Sequence, residues 1–342
     1  MYEFKSAFVT GSTGLLGNNL VRLLLEQGIR VKALARSAEK AKAQFEGLKV
    51  EIVVGDMNNV DGFRQHLNDV DVLFHTAAYF RDSYKGGKHW DELYQTNVIG
   101  TRKLLEAAKD AGIRRMVHTS SVAVLTGPKG SPIDETMDRR IEDADDYYRS
   151  KILSENTVRE FLNQNPDMHI TFVLPGWMFG PGDIGPTSSG QLVQDFLQRK
   201  LPGIPPGSFS VVDARDVAFA EIQAARVGRN GERYLAAGRY MDMRQLAEKL
   251  TETSGIKGPT RAIPYPVILT VALLSEVYAL LTHKPILISL GSIRMLKQEE
   301  GRTHFNPEKS RKELGLEFRP VEETLRDVLQ DMSLRGISPL PA

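Results

Sequence analysis

The run Thr10-Gly11-Ser12-Thr13-Gly14-Leu15-Leu16-Gly17 constrains this chain more than any other, because it sets a glycine at every third position between an apolar segment and an amphipathic one. Ser6 to Thr10 reads as a strand and Leu15 to Gln27 as a helix. Glycines so spaced permit a tight turn, let backbone approach a pyrophosphate and let the helix pack close to the strand. The helix N-terminus then favours the anion. Gly11 to Gly17 is therefore the expected dinucleotide-binding turn, with a plain structural turn as the alternative.

Short β-branched runs continue to alternate with helix-period segments, the pattern of βαβ units around a parallel sheet. Strands are expected at Ser6 to Thr10, Arg30 to Leu34, Val50 to Val54, Val72 to His75, Arg115 to Thr119 and His169 to Leu174, and a short one near Arg233 to Ala236 returns the chain to the sheet. Helices are expected at Leu15 to Gln27, Ala38 to Phe45, Val60 to Leu67, Trp90 to Ala111, Asp145 to Asn163 and Ala214 to Val227. The fold class is α/β: a doubly wound parallel sheet with a smaller, mostly helical C-terminal part. Glycine and proline crowd into Pro175 to Gly190 and Leu201 to Gly207, which read as loops, and Pro307 and Pro320 read as helix starts. Residues 1–183 with about 208–238 are expected to bind the cofactor; residues 184–207 with 239–342 form a discontinuous substrate-binding part.

Where an NAD site places an acidic side chain against the ribose, about twenty residues after the glycines, this chain has Arg36, which suits a 2′-phosphate. NADP is expected before NAD, although a solvated arginine at a strand end is the plainer reading. Asp56, followed by Met57, is placed to meet the adenine amino group or to cap the next turn.

Lys plus Arg (44) nearly cancels Asp plus Glu (43), so the cationic excess of a nucleic-acid binder is missing. Without cysteine there is no disulfide and no thiolate nucleophile. The N-terminus shows no secretory pattern, and a cytoplasmic protein is expected. None of seven histidines forms a zinc-type spacing, so no metal is expected. The apolar run from Ile263 to Leu281 contains Glu276 and begins with two prolines; it reads as a buried or lid helix, with membrane contact the minority alternative.

Further along stand His75-Thr76-Ala77-Ala78, Asn97, Thr119-Ser120-Ser121, Tyr147-Tyr148-Arg149-Ser150-Lys151 and Pro175-Gly176-Trp177-Met178-Phe179-Gly180-Pro181-Gly182-Asp183. With the glycine turn and Asp56, this series resembles the extended short-chain dehydrogenase/reductases over most of the chain, and within them the dihydroflavonol-reductase-like and 3β-hydroxysteroid-dehydrogenase-like proteins. The resemblance implies a Rossmann sheet, with Thr76, Ala77, Ala78, Tyr147, Lys151 and Pro175 also lining the cofactor. It implies Ser121, Tyr147 and Lys151 as catalytic residues, Ser121 matching better than Ser120, and Asn97 as support for the proton relay. It also implies homodimerisation through Thr96 to Ala111 and Tyr147 to Phe161.

Tyr147 and Lys151 stand one helical turn apart, so an ammonium below the phenol would stabilise its anion. Tyrosine ordinarily titrates near pH ~10, and serving at neutrality asks for roughly three pH units of lowering, about 4 kcal/mol. The implied reaction interconverts a ketone or aldehyde and an alcohol on an apolar or aromatic molecule, in a pocket edged by Tyr79, Phe80, Tyr84, Trp177, Phe179 and the Val267 to Leu281 helix. Two alternatives remain: a nucleotide-sugar epimerase, gripping a diphosphate through Arg199, Arg215, Arg239 or Arg302, and a non-catalytic NADP-binding sensor.

Overall fold

The computed structural model describes residues 1–80, 89–282 and 290–337. Its strands are β1 Ser6–Thr10, β2 Arg30–Ala35, β3 Glu51–Val54, β4 Val72–His75, β5 Arg115–Thr119, β6 His169–Pro175, β7 Trp177–Phe179, β8 Ser208–Asp213, β9 Arg233–Ala236 and β10 Arg239–Asp242. The helices are α1 Leu15–Glu26, α2 Ala38–Gln44, α3 Trp90–Tyr94, α4 Gly100–Asp110, α5 Asp146–Gln164, α6 Ser188–Leu197, α7 Ala214–Val227, α8 Met243–Ser254, α9 Tyr265–Thr282, α10 Leu290–Glu299, α11 Glu308–Leu314 and α12 Val321–Leu334.

Seven strands form a parallel sheet in the order β3-β2-β1-β4-β5-β6-β9. Both faces of the inner strands are covered, which is why β1, β4 and β6 are buried along almost their whole length rather than on alternate residues. On one face Val9, Val31, Val117 and Val173 meet Leu20 and Leu24 of α1 and Val217 and Ala224 of α7. On the other, Phe8, Leu73, Met116 and Phe172 meet Leu104 and Leu105 of α4 and Val158 and Phe161 of α5. Each fully buried Leu or Phe contributes about 1.5–3 kcal/mol, and these stripes hold the helices to the sheet.

The expected helix at Val60 to Leu67 is instead two 3₁₀ turns, Val60–Gly62 and Arg64–Leu67. Gly62 weakens the helix there, and the intervening Phe63 turns inward to stack on Phe8 at 6.0 Å. The expected helix from Trp90 to Ala111 is broken by a π turn, Gln95–Ile99, between α3 and α4.

A second sheet, β10-β8-β7, was not anticipated. β7 lies within the stretch read as loop, and β7 and β8, grouped by sequence with the cofactor-binding part, pair with each other while β8 also pairs with β10. The chain passes from large sheet to small twice, through Gly176 and through Ala237-Gly238. A Cβ on Gly176 would lie 2.4 Å from the Ser210 carbonyl oxygen. Gly238 has φ +76°, and a Cβ there would lie 1.9 Å from the Val211 oxygen. The two crossings thus run side by side against β8.

Of the two expectations for the α9 segment, a buried or a lid helix, the buried one does not hold. It packs on α10 through Ile268 and Ala272, while Val267, Leu273, Leu274 and Val277 face outward, Leu274 being 63% exposed. Among the described residues no helix is long and apolar enough to cross a membrane.

Candidate active site

In the large sheet the strand order reverses between β1 and β4, and ligands of open α/β sheets bind at the carboxyl ends of strands beside such a switch point. The predicted cofactor residues line this edge: Gly11 to Gly17 follow β1, Arg36 follows β2, Asp56 and Met57 follow β3, Thr76 to Ala78 follow β4, and Pro175 ends β6. Gly11 has φ +64°, and a Cβ there would come within 2.8 Å of the Ala77 backbone; one on Gly17 would come within 2.2 Å of the Gly11 oxygen. Gly14 is exposed at the head of α1, with no side chain capping the helix. The first amide groups of α1 therefore remain available to an anion, which fits a pyrophosphate.

The turn is held from both sides. Ser12 Oγ donates to Leu34 O at 2.8 Å, Thr76 Oγ1 donates to Thr10 O at 2.7 Å, and the Ala77 amide donates to Thr10 Oγ1 at 3.2 Å. Arg36 is exposed and makes no ion pair with described residues. Asp56 Oδ1 accepts the Asn58 amide at 2.8 Å, closing the turn after β3. Met57 is buried, and Ala78 is exposed.

The candidate acid–base residues converge after β5. Asp145 caps α5 by accepting the Tyr148 amide at 2.7 Å, which fixes the turn carrying Tyr147. Ser121 caps the 3₁₀ turn Val122–Val124, and its hydroxyl lies close enough to the Tyr147 phenol to draw that phenol's pKa down. Ser120 faces elsewhere and donates to Glu155 Oε2 at 2.6 Å, so geometry separates the two serines. Burial raises the Tyr147 phenol above its ordinary range; the Ser121 hydroxyl opposes this and the Asp145 carboxylate adds to it. The Lys151 ammonium donates to the Thr119 carbonyl at 2.8 Å.

Asn97, buried in the π turn, holds the Tyr79 backbone at both ends: Oδ1 accepts its amide at 2.7 Å and Nδ2 donates to its carbonyl at 3.1 Å. Nδ2 also donates to Ser150 Oγ at 3.0 Å, and Ser150 donates to the Tyr147 carbonyl at 2.8 Å. Asn97 is thereby tied to the backbone of the candidate acid. The π turn aims it inward, as such bulges often do at functional sites.

Beneath these groups lies a polar layer that includes Glu221, which the sequence did not disclose, with His75 and His118 at the strand ends. Thr119 Oγ1 donates to Glu221 Oε1 at 2.6 Å, while Oε2 is buried without a partner. Burial pushes the Glu221 carboxyl up to about 8, and burial brings Lys151 down to about 8 against the opposing pull of Glu155 and Glu221. His75 is neutral, pushed down to about 3 by burial and then by Lys151. Thr101 Oγ1 donates to Asn97 O at 2.7 Å and so accepts from His75 Nε2 at 2.9 Å; His75 Nδ1 then accepts from Thr10 Oγ1 at 2.8 Å. His118 packs against His75 and Phe172, neither nitrogen having a partner. These pairs join residues far apart in the chain, and no local spacing marks them.

Phe80 meets the Tyr147 ring edge-on at 4.8 Å. Trp177 packs on Phe209 at 4.5 Å and donates from Nε1 to Ser188 Oγ at 3.1 Å. Phe179, expected at the pocket edge, is instead buried in the core with Val193 and Phe196. Tyr84 lies outside the described residues.

Residues 7–237 match the family model described as the NAD dependent epimerase/dehydratase family. The chain is 36% identical over 335 residues to Sterol demethylase protein B of Methylococcus capsulatus, covering 97% of this chain and 99% of that protein. It is 34% identical over 330 residues to a dihydroflavonol 4-reductase-like protein of Synechocystis, covering 94% and 93%. The crystal structure of gox2253 superposes with a TM-score of 0.83 at 29% identity, covering 98% of this chain and 99% of that one. With the glycine turn, the switch-point edge and the Ser121–Tyr147–Lys151 cluster already placed, these likenesses make the chain a member of the NAD-dependent epimerase/dehydratase family, within the extended short-chain dehydrogenase/reductases.

Proposed function

We propose that this NAD(P)H-dependent oxidoreductase interconverts a ketone or aldehyde and an alcohol on an apolar or aromatic small molecule, with NADPH as the preferred donor. The nicotinamide, when bound, supplies or takes the hydride. Tyr147 gives the proton to the carbonyl oxygen during reduction and takes it back in reverse. Ser121 brings a second hydroxyl to the same point, where it steadies the developing oxyanion. Lys151, buried and cationic below about pH 8, keeps positive charge beside the reacting groups. Asn97 fixes the Tyr147 backbone through Ser150.

The observation that carries this reading is the placement of the Ser121 hydroxyl beside the Tyr147 phenol, with Ser120 diverted to Glu155. The raised phenol suits the reductive direction, since it stays protonated through neutral pH. Arg36, exposed where an acid would meet the ribose hydroxyls, supports NADPH. Phe80 beside Tyr147 supports an apolar substrate, as do relatives named for a sterol and a dihydroflavonol. Of the arginines an epimerase would use on a diphosphate, Arg215 is held between Asp213 at 2.6 Å and Asp327 at 2.7 Å, which weakens that alternative.

The test is loss of near-ultraviolet absorbance from NADPH and, separately, NADH against apolar aldehydes, aryl ketones, 3-ketosteroids and flavanonols. Turnover favouring NADPH is expected. Turnover with NADH alone overturns the Arg36 assignment, and silence with cofactor still bound overturns the reductase reading in favour of nucleotide sugars or a sensor.

A further inference from the structure

Arg139 and Glu299 form an ion pair whose side chains are 4% and 11% exposed. The contact is bidentate, Nη1 to Oε1 at 2.9 Å and Nη2 to Oε2 at 2.8 Å. The same guanidinium donates from Nε to Ala123 O at 2.8 Å and from Nη2 to Leu125 O at 3.0 Å. It also lies over the Tyr148 ring, 4.8 Å from its centroid, and that ring packs against Tyr147. Burying an ion pair costs desolvation that apolar side chains of equal volume avoid, so stability alone gives little reason for it.

Its position gives a better one. Ala123 and Leu125 follow Ser121, Tyr148 follows Tyr147, and Glu299 is the last residue of α10. Backbone bonds extend the same connection: the Gly130 amide donates to Gly301 O at 2.7 Å, Ile133 to His304 O at 2.8 Å and Asn306 to Ile133 O at 2.8 Å. The segment leading out of Ser121 and the C-terminal end of α10 are therefore bonded as one unit. A displacement of the end of α10 would separate the carboxylate from a buried guanidinium. An unpaired buried cation is strongly unfavourable, so the guanidinium follows its partner and carries the Ala123 and Leu125 carbonyls with it.

We infer that Arg139 and Glu299 are positioning residues that couple the seating of α10 to the placement of Ser121 and Tyr147. This rests on the roles proposed above for those two hydroxyls.

The first test does not depend on turnover. Amide hydrogen exchange is followed on the full chain with NADPH present, for wild type, Glu299→Gln and the exposed control Glu300→Gln. Glu299→Gln should speed exchange at least tenfold in residues 121–126 and 294–299 together, leaving β1 and β4 unchanged, while Glu300→Gln behaves as wild type. Faster exchange confined to 294–299 overturns the coupling. In kinetics, Glu299→Gln should lower kcat at least tenfold with the cofactor KM unchanged, and Glu299→Asp should recover part of it. A Glu299→Gln protein with wild-type kcat and only a lower Tm overturns the positioning role. Should Glu299→Gln not accumulate, Arg139→Lys carries the same expectations. If Tyr147→Phe keeps full turnover, the acid assignment fails by itself, and the exchange result still decides the coupling.

Discussion

Tyr147 presents the site's proposed chemistry in one side chain: a phenol raised by burial, beside the Ser121 hydroxyl and close to a carboxylate. Replacing it with Phe should cut carbonyl reduction by about 10²–10⁴-fold and leave NADPH affinity, read by nucleotide fluorescence, within about twofold of wild type. Ser121→Ala should lower kcat, whereas Ser120→Ala should act chiefly on stability, because its hydroxyl serves Glu155; kinetics and melting curves on both variants separate the two. Glu221 offers a prediction in pH. Its carboxyl titrates near 8 in the folded protein against an ordinary 4.5, so the folded state holds a proton that the unfolded chain releases between those values. Stability from this group is fully present below about 4.5 and is lost as pH rises through 8. Glu221→Gln should therefore match wild type near pH 5 and melt at least ~2 °C higher above pH 8. A pH-independent difference in Tm would show that the carboxyl does not titrate there. Of these residues, Ser121, Tyr147 and Lys151 could be singled out in the sequence from motif and strand order. Glu221 could not, since its partner Thr119 is 102 residues away and only folding puts a carboxyl under that strand end.

Among the elements, those that bury apolar stripes against the large sheet were read closely: β1, β4, β5 and α7 have the expected bounds. The misreadings share one cause, a tertiary demand overriding local pattern. The π turn at Gln95–Ile99 is invisible to a 3.6-residue period, yet it places Asn97 against the Tyr79 backbone. Asn97→Ala should strip both bonds from Tyr79 and one from Ser150, costing about 1–3 kcal/mol in denaturant unfolding and lowering kcat more than cofactor affinity. β7, β8 and β10 were missed because they are short and bounded by Gly176, Gly180, Gly207 and Gly238, which read as loop punctuation. Gly238→Ala tests their importance. With φ +76° and a Cβ overlapping the Val211 oxygen, it should cost well over the ~1 kcal/mol of a left-handed alanine alone and lower Tm by more than ~3 °C.

For the whole molecule, the doubly wound order was legible because parallel strands with helical crossovers leave few alternatives. The exposure of α9 was not, because an apolar run does not say which of its sides will find a partner. Self-association is the remaining expectation at this scale. If α4 and α5 pair between two copies, gel filtration should give twice the 38.1 kDa chain mass, and Arg102→Glu, which reverses a charge facing Glu160 on that surface, should shift the protein toward monomer. A monomeric wild type would end that expectation.

The paired crossings at Gly176 and Gly238 bear on how a substrate gets in. Many two-part enzymes open like a clam, their halves swinging about flexible linkers. Here two adjacent strands of backbone, packed too closely on β8 to admit even a methyl group, act as a double weld rather than a hinge. The two sheets are thereby one casting, joined too tightly at these crossings to swing apart.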